Sequence, residues 1–223
     1  MPAVVAKKVA KLREQAYESF TNRLLSQEIR PGQFISQREL VEITGMNLGA
    51  IRELVPRLEA DGLIKTVPQR GMQVAHVDVN LVRNAFQFRL FMEREAAALY
   101  AVNATDAELA AMRARHESVL KRAKKGLPPA LVAEAQAVDY ALHDAVIDAL
   151  GNEIISNAYR VNNIKIRLIR QEATRLASDL VEPVMREHLG IIAAFETRNP
   201  DKAANALAAH INNAKNRALG IIS

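Results

Sequence analysis

The chain has 223 residues, 49% apolar, 25% charged and only 4% aromatic, with no Trp and no Cys. Without cysteine, disulfides, thiolate-held zinc and thiol catalysis are excluded, and no apolar run approaches the roughly 18 residues of a membrane span. A net charge of +5 suits an anionic partner without identifying one.

This length accommodates one large domain or two modest ones. Plentiful Ala and Leu beside few aromatics favour helices packed through aliphatic side chains. The N-terminus is charged (Lys7, Lys8, Lys11) and lacks the apolar core of a signal peptide, so a cytoplasmic protein is expected.

In chain order, residues 5–26 carry apolar side chains at helical spacing: Val9, Leu12, Tyr17, Phe20, Leu24 and Leu25 share a broad face. Pro31-Gly32 breaks that pattern. Ser36-Gln37-Arg38-Glu39 then reads as a capping box opening a short helix through Leu40, Val41 and Ile43 to Thr44, with Gly45 in a tight turn. Asn47 is a good N-cap for a second helix that turns Ile51, Leu54, Val55 and Leu58 inward and stops at Asp61-Gly62. Pro56 inside it predicts a local bend, not a break, because Leu58 continues the apolar face. Residues 63–67 and 72–77 read as two strands around a hairpin tip at 68–71.

After Asp78 the pattern is helical throughout, with helices expected near 79–103, 105–125, 129–150, 152–173, 178–198 and 200–219. Short connectors containing Thr105, Pro128-Pro129, Gly151-Asn152, Ser178 and Asn199-Pro200 imply an antiparallel six-helix bundle. The expected fold is therefore mostly α, with domains over 1–77 and 78–223. The first 77 residues hold 11 Lys and Arg against 8 Asp and Glu, and the remainder 19 against 17. The basic excess is denser in the smaller part, though charge alone does not make a DNA-binding domain.

Two short helices joined by a tight turn, with a ribbon behind the second, make a winged helix-turn-helix. A helix fits the major groove, where its N-terminal residues meet base edges. Arg38 on the first helix, Arg52 on the second and Arg70 at the hairpin tip are placed to reach phosphates, guanines or the adjacent groove. Singly, each arginine reads as a solvated surface charge. As a group on this framework they point to duplex DNA.

The run from Arg30 to Val74 resembles the DNA-binding domain of the GntR family of bacterial transcriptional regulators. The resemblance rests on Pro31-Gly32, Glu39-Leu40, Gly45, Ile51-Arg52-Glu53, Leu58, Asp61-Gly62-Leu63 and Arg70-Gly71-x-x-Val74. It implies DNA contacts from Arg38, Asn47, Leu48, Gly49, Arg52, Arg70 and Gly71, made by a homodimer on a two-part operator. The chain departs from the family where the recognition helix begins. Asn47-Leu48-Gly49 replaces a Ser-Arg-Thr-like start, and Leu48 offers only apolar contact, for instance to a thymine methyl. Operator sequence therefore does not carry over from relatives.

In the helical part, Asp139 and His143 lie four residues apart, so both side chains emerge from one helix face and can reach one cation. His188 and His210 lie on later helical segments that can pack against this one. A lone histidine is ordinarily a surface or hydrogen-bonded core residue, and His76 and His116 are read in that way. Imidazole with carboxylate suits zinc, nickel, manganese or iron(II).

The remainder of the chain resembles the FCD ligand-binding domain of the FadR-type subfamily. The matching pieces are Arg89-x-x-Met92-Glu93, Asp139-x-x-x-His143 with Gly151-Asn152, Glu187-His188 and Ala206-x-x-x-His210, with Leu142 where relatives commonly have Phe. This implies that Asp139, His143, His188 and His210 hold a divalent metal, zinc first, whose remaining positions admit a small carboxylate effector. Arg89 is implied as the effector's anchor, against the alternative of a salt bridge to Glu93 at i+4. Asn162, Asn163 and Arg167, with Arg170, are further candidates. The expected function is a ligand-responsive transcriptional regulator and not an enzyme. A metal-dependent enzyme using the same site is the rival, with no separate general base evident and the DNA-binding module unexplained. A regulator with a purely structural metal is the third reading.

Overall fold

The structure is a computed structural model that describes residues 2–172 and 178–221, with side chains described for 12–171 and 179–221. The side chains of Val9 of the expected apolar face and of the lysines at 7, 8 and 11, and residue 173 at the end of an expected helix, lie outside this description. The chain divides into two compact units, Met1–Leu81 and Val82–Ser223.

The first unit opens with α1 (Pro2–Leu25), which buries Ala16, Tyr17, Phe20 and Leu24. The capping box forms at the start of α2 (Gln37–Thr44): the Glu39 amide donates to Ser36 Oγ at 3.2 Å, and the Ser36 amide donates to Glu39 Oε2 at 2.7 Å. Gly45 ends α2 in the left-handed region, φ 69°. In α3 (Leu48–Ala60) Asn47 Oδ1 accepts from the Ala50 amide at 2.9 Å, and the helix runs unbroken across Pro56. Leu40, Ile51, Leu54, Leu58 and Leu63 close the core of this unit with Phe20 and Leu24.

The ribbon differs from its sequence reading. It is a three-stranded antiparallel sheet in the order β1-β3-β2, with β1 at Phe34–Ile35, β2 at Ile64–Val67 and β3 at Gly71–Val74. β1 pairs Phe34 with Gln73 and Ile35 with Met72. Two residues are too few to show alternation, so only the pairing reveals the strand. Residues 75–77, expected to continue the last strand, lie beyond its end.

At Gly71, φ is +88° and a Cβ would stand 3.1 Å from the Ile35 carbonyl oxygen, whereas one at Gly45 would meet nothing within 4 Å. Gly71→Ala is therefore expected to cost about 1–3 kcal/mol of stability through strain plus crowding of β1, and Gly45→Ala about 1–2 kcal/mol through strain alone. Denaturant midpoints should rank the Gly71 variant below the Gly45 variant. Equal midpoints would show that β1 gives way without cost.

The second unit is built from α4 (Val79–Asn103), α5 (Asp106–Ala123), α6 (Pro129–Asp148), α7 (Glu153–Glu172), α8 (Ser178–Glu196) and α9 (Pro200–Ala218). These six helices match the expected ones to within a few residues because local chemistry fixes their ends. Thr105 and Glu108 form a second capping box at α5, Pro129 starts α6, and Asn199 caps α9 ahead of Pro200. Val119 and Ala123 of α5, Leu131 and Ala135 of α6, and Val181, Val184 and Met185 of α8 form one buried cluster. Tyr100 meets Phe195 edge to face at 5.1 Å between ring centroids, tying α4 to α8.

Candidate metal centre

The inward face of α6 carries, at helical spacing, Asp139, Leu142, His143 and Val146, all buried. Packing against α8 and α9 brings His188 and His210 to the same point. One ligand atom from each of Asp139, His143, His188 and His210 lies within 4.8 Å of every other. His188 Nε2 stands 3.3 Å from Asp139 Oδ1 and 3.3 Å from His210 Nε2, and His143 Nε2 stands 4.0 Å from the same Asp139 oxygen.

Each imidazole is held from behind through Nδ1. His143 Nδ1 donates to Glu93 Oε2 of α4 at 2.6 Å, and His210 Nδ1 donates to Glu187 Oε2 of α8 at 2.6 Å. His188 Nδ1 faces His116 Nε2 of α5 at 3.1 Å, while His116 Nδ1 faces the Met112 carbonyl at 2.7 Å. A carbonyl only accepts, so His116 carries its proton on Nδ1 and accepts at Nε2. His188 must then donate from Nδ1. All three inward Nε2 atoms consequently present lone pairs. The His188–His210 approach brings two acceptors together with no proton between them. Among the described residues His143 Nε2 has no hydrogen-bond partner at all.

Electrostatics keep the imidazoles in this state. Burial lowers the pKa of His143, His188 and His116, and at His210 it outweighs the bond to Glu187, bringing the group to about 4. Burial opposes charge on Glu93 too, but Arg89 and His143 hold it at about 2. Glu187 is held at about 2, against burial, by His210 and Arg217. Asp139 stays well below the usual carboxylate range because Arg170 outweighs its burial. The result is a ring of neutral imidazole lone pairs beside an ionised carboxylate. Buried acceptors without a donor are costly, and a cation would satisfy the three Nε2 atoms at once. The residues fit a divalent metal site by donor type, tautomer and convergence.

Sequence reasoning missed His116, Glu93 and Glu187 as partners of the ligands. His116 is indeed a hydrogen-bonded core residue, but its bond reaches a candidate ligand directly. The only local signal for Glu187 was its place next to His188, and for Glu93 its i+4 spacing from Arg89.

The candidate effector residues fall in different places. Arg89 is buried and donates from Nε to Glu93 Oε1 at 2.5 Å, an oxygen that Tyr159 also bonds at 2.8 Å. Asn162 donates to the Ala85 carbonyl at 3.1 Å, and Asn163 approaches Asp144 at 3.5 Å. The Arg167 guanidinium lies 5.1 Å from the centroid of the Tyr140 ring. Arg89 thus reaches the centre through Glu93, whereas Asn163 and Arg167 turn to Asp144 and Tyr140 of α6.

On the first unit, Arg38, Asn47, Leu48, Gly49, Arg52, Arg70 and Gly71 are all exposed. Arg38 sits 3.5 Å from Glu42, and Arg70 stacks its guanidinium 4.2 Å from the centroid of Phe34. The Asn47 carbonyl oxygen is committed to capping α3. A Cβ at Gly49 would stand 3.2 Å from that oxygen, so the small residue there protects the cap. Leu48 keeps 43% of its surface exposed at the start of α3.

Comparison with known proteins agrees with this architecture. The model of the bacterial regulatory proteins of the gntR family matches residues 12–74, and the FCD domain model matches residues 84–213, more than half of the chain. The Nta operon transcriptional regulator of Aminobacter aminovorans is 26% identical over 201 residues, covering 89% of this chain and 90% of its own. Among solved structures, E. coli McbR/YncC superposes with a TM-score of 0.69 at 18% identity, over 91% of this chain and 94% of its own. A metal-free FCD domain of another regulator superposes with a TM-score of 0.55 at 23% identity, over 66% and 97%. The chain belongs to the GntR family, as a transcriptional regulator in which the helix-turn-helix domain is followed by an FCD domain.

Proposed function

We propose that residues 1–77 bind operator DNA and that residues 78–223 form an effector-binding domain holding one divalent ion. Asp139, His143, His188 and His210 hold the ion, with zinc first among zinc, nickel, manganese and iron(II). The observation that carries this reading is the convergence of three Nε2 lone pairs on an ionised carboxylate, with no proton to share among them. When bound, such an ion supplies open coordination positions for the carboxylate of a small organic acid. Arg89 is the proposed anion anchor, with Asn162, Asn163 and Arg167 of α7 as further polar partners. The regulator works as a cytoplasmic homodimer. The exposed apolar residues Phe91, Leu99 and Val102, spaced along one face of α4, support self-association.

Effector binding changes DNA affinity only if the effector favours one arrangement of the dimer over another. Two measurements test the reading. Binding to duplex DNA should fall steeply with salt, and a protein that ignores duplex DNA at low salt defeats the DNA-binding half. Zinc should raise the melting temperature and a chelator should reverse it. A carboxylate that stabilises the chelated protein as well as the zinc-loaded one would remove the metal from effector binding.

The supporting bonds carry their own expectation. His116→Phe keeps an aromatic ring of somewhat larger size but removes the acceptor that fixes the His188 tautomer, so zinc affinity should drop about 10–100-fold with all four proposed ligands intact. Unchanged affinity in a chelator competition would show that His188 is oriented by something else.

A further inference from the structure

Three carboxylates surround the centre, and each is paired with an arginine. Glu93 is paired with Arg89, Glu187 with Arg217, and Asp139 with Arg170. The three pairs are not equivalent. Glu93 and Glu187 stand behind imidazoles, on the Nδ1 side, so their arginines do not touch a ligand atom. Arg170 instead straddles Asp139 itself. Its Nη1 donates to Oδ2, and its Nη2 donates at 3.1 Å to Oδ1, the oxygen that faces His143 and His188.

We propose that Arg170 is a built-in counter-cation that competes with the divalent ion for Asp139, so that loading the centre breaks the Arg170–Asp139 pair. This rests on the metal reading above and adds a control on how tightly the centre binds. Without the ion, a carboxylate that is fully buried needs a positive partner, and Arg170 provides it. With the ion, that charge is redundant, and a guanidinium beside a doubly charged ion is repelled. The released group has a second berth, because its guanidinium already lies 5.5 Å from the centroid of the Tyr140 ring.

The exchange acts on one end of α7 only. The first half of that helix is tied to α6 by Arg160, which reaches Asp144 at 3.1 Å and Asp148 at 2.7 Å, and by Ser156 on Asp148. None of these touches the centre. Arg170, in the last turn of α7, is tied to α6 through Asp139. Loading the centre therefore shifts the Arg170 tie from Asp139 to Tyr140 of the same helix while the beginning of α7 stays anchored, which links metal occupancy to how two bundle helices pack.

The alternative role for Arg170 is to orient Asp139 for coordination, and the two roles predict opposite signs. Zinc affinity of the full-length protein is measured by competition with a chromophoric chelator for wild type, Arg170→Met and Arg170→Lys. Melting temperatures are measured in chelator and in zinc. Competition predicts that Arg170→Met binds zinc at least about tenfold more tightly than wild type, since a positive charge next to the ion is gone. It also predicts a lower melting temperature in chelator and a gap that closes in zinc. A variant that folds only with zinc supports the proposal further. If Arg170→Met folds in neither condition, Arg170→Lys decides, because a single ammonium cannot straddle both oxygens and should bind zinc more tightly than wild type. Equal or weaker zinc affinity in the decisive variant overturns the proposal and makes Arg170 an orienting partner. Failure of wild type itself to bind zinc, nickel, manganese or iron(II) overturns the metal reading, and this one with it.

Discussion

Replacing His143 with alanine should lower zinc affinity by at least about 100-fold, beyond what losing a supporting partner costs, because a coordinating lone pair disappears outright. His143 is the proposed ligand whose Nε2 has no hydrogen-bond partner among the described residues, so it would give up nothing to bind a cation. Its loss also leaves Glu93 Oε2 without its donor, although Arg89 and Tyr159 still hold Oε1. The stability cost without metal should therefore stay near about 1–3 kcal/mol. Chelator competition reads the first effect and thermal unfolding the second. DNA affinity of the metal-free variant, measured by fluorescence anisotropy, should match that of metal-free wild type. Parallel loss of zinc and DNA binding would contradict the separation of the two functions between the two units.

Arg52→Ala should weaken DNA binding by about 5–100-fold, the range for losing one guanidinium contact to a base or phosphate. Arg52 lies exposed on the second turn of α3, the position from which a recognition helix reaches into the groove. Its neighbours on that helix are less free. Glu53 pairs with Arg13 and Arg57 with Glu14, so these charges are spent holding α1 to α3. The salt dependence distinguishes the two kinds of contact. A phosphate contact would reduce the slope of log affinity against log salt by about 1, whereas a guanine contact would relax sequence preference instead. Duplexes recovered by selection from a random pool supply the ligand. Unchanged affinity, slope and preference in the variant would remove Arg52 from the interface.

The helices of this protein were legible in its sequence because their boundaries depend on chemistry within one turn of the chain. Ser36 with Glu39, Thr105 with Glu108 and Asn199 before Pro200 each satisfy backbone groups three residues away. The same locality made Asp139 and His143 readable as a pair on one face of α6. The winged helix-turn-helix followed from two short helices, a tight turn and a ribbon in that order, whereas the full set of four candidate ligands was carried mainly by family resemblance, which encodes tertiary proximity that spacing alone does not. What only the tertiary structure decided lies across longer separations. The Phe34–Ile35 strand exists because β3 offers it partners 37 to 39 residues further on. The His116–His188 bond spans 72 residues, the His143–Glu93 bond 50, and the Arg170–Asp139 pair 31. Such contacts leave no periodic trace, because a buried donor and its acceptor are matched by helix packing and not by their distance along the chain. The sequence determined which helices form and which residues were candidates. Packing alone set which nitrogen of each histidine faces inward, and that Asp139 already has a cation at its side.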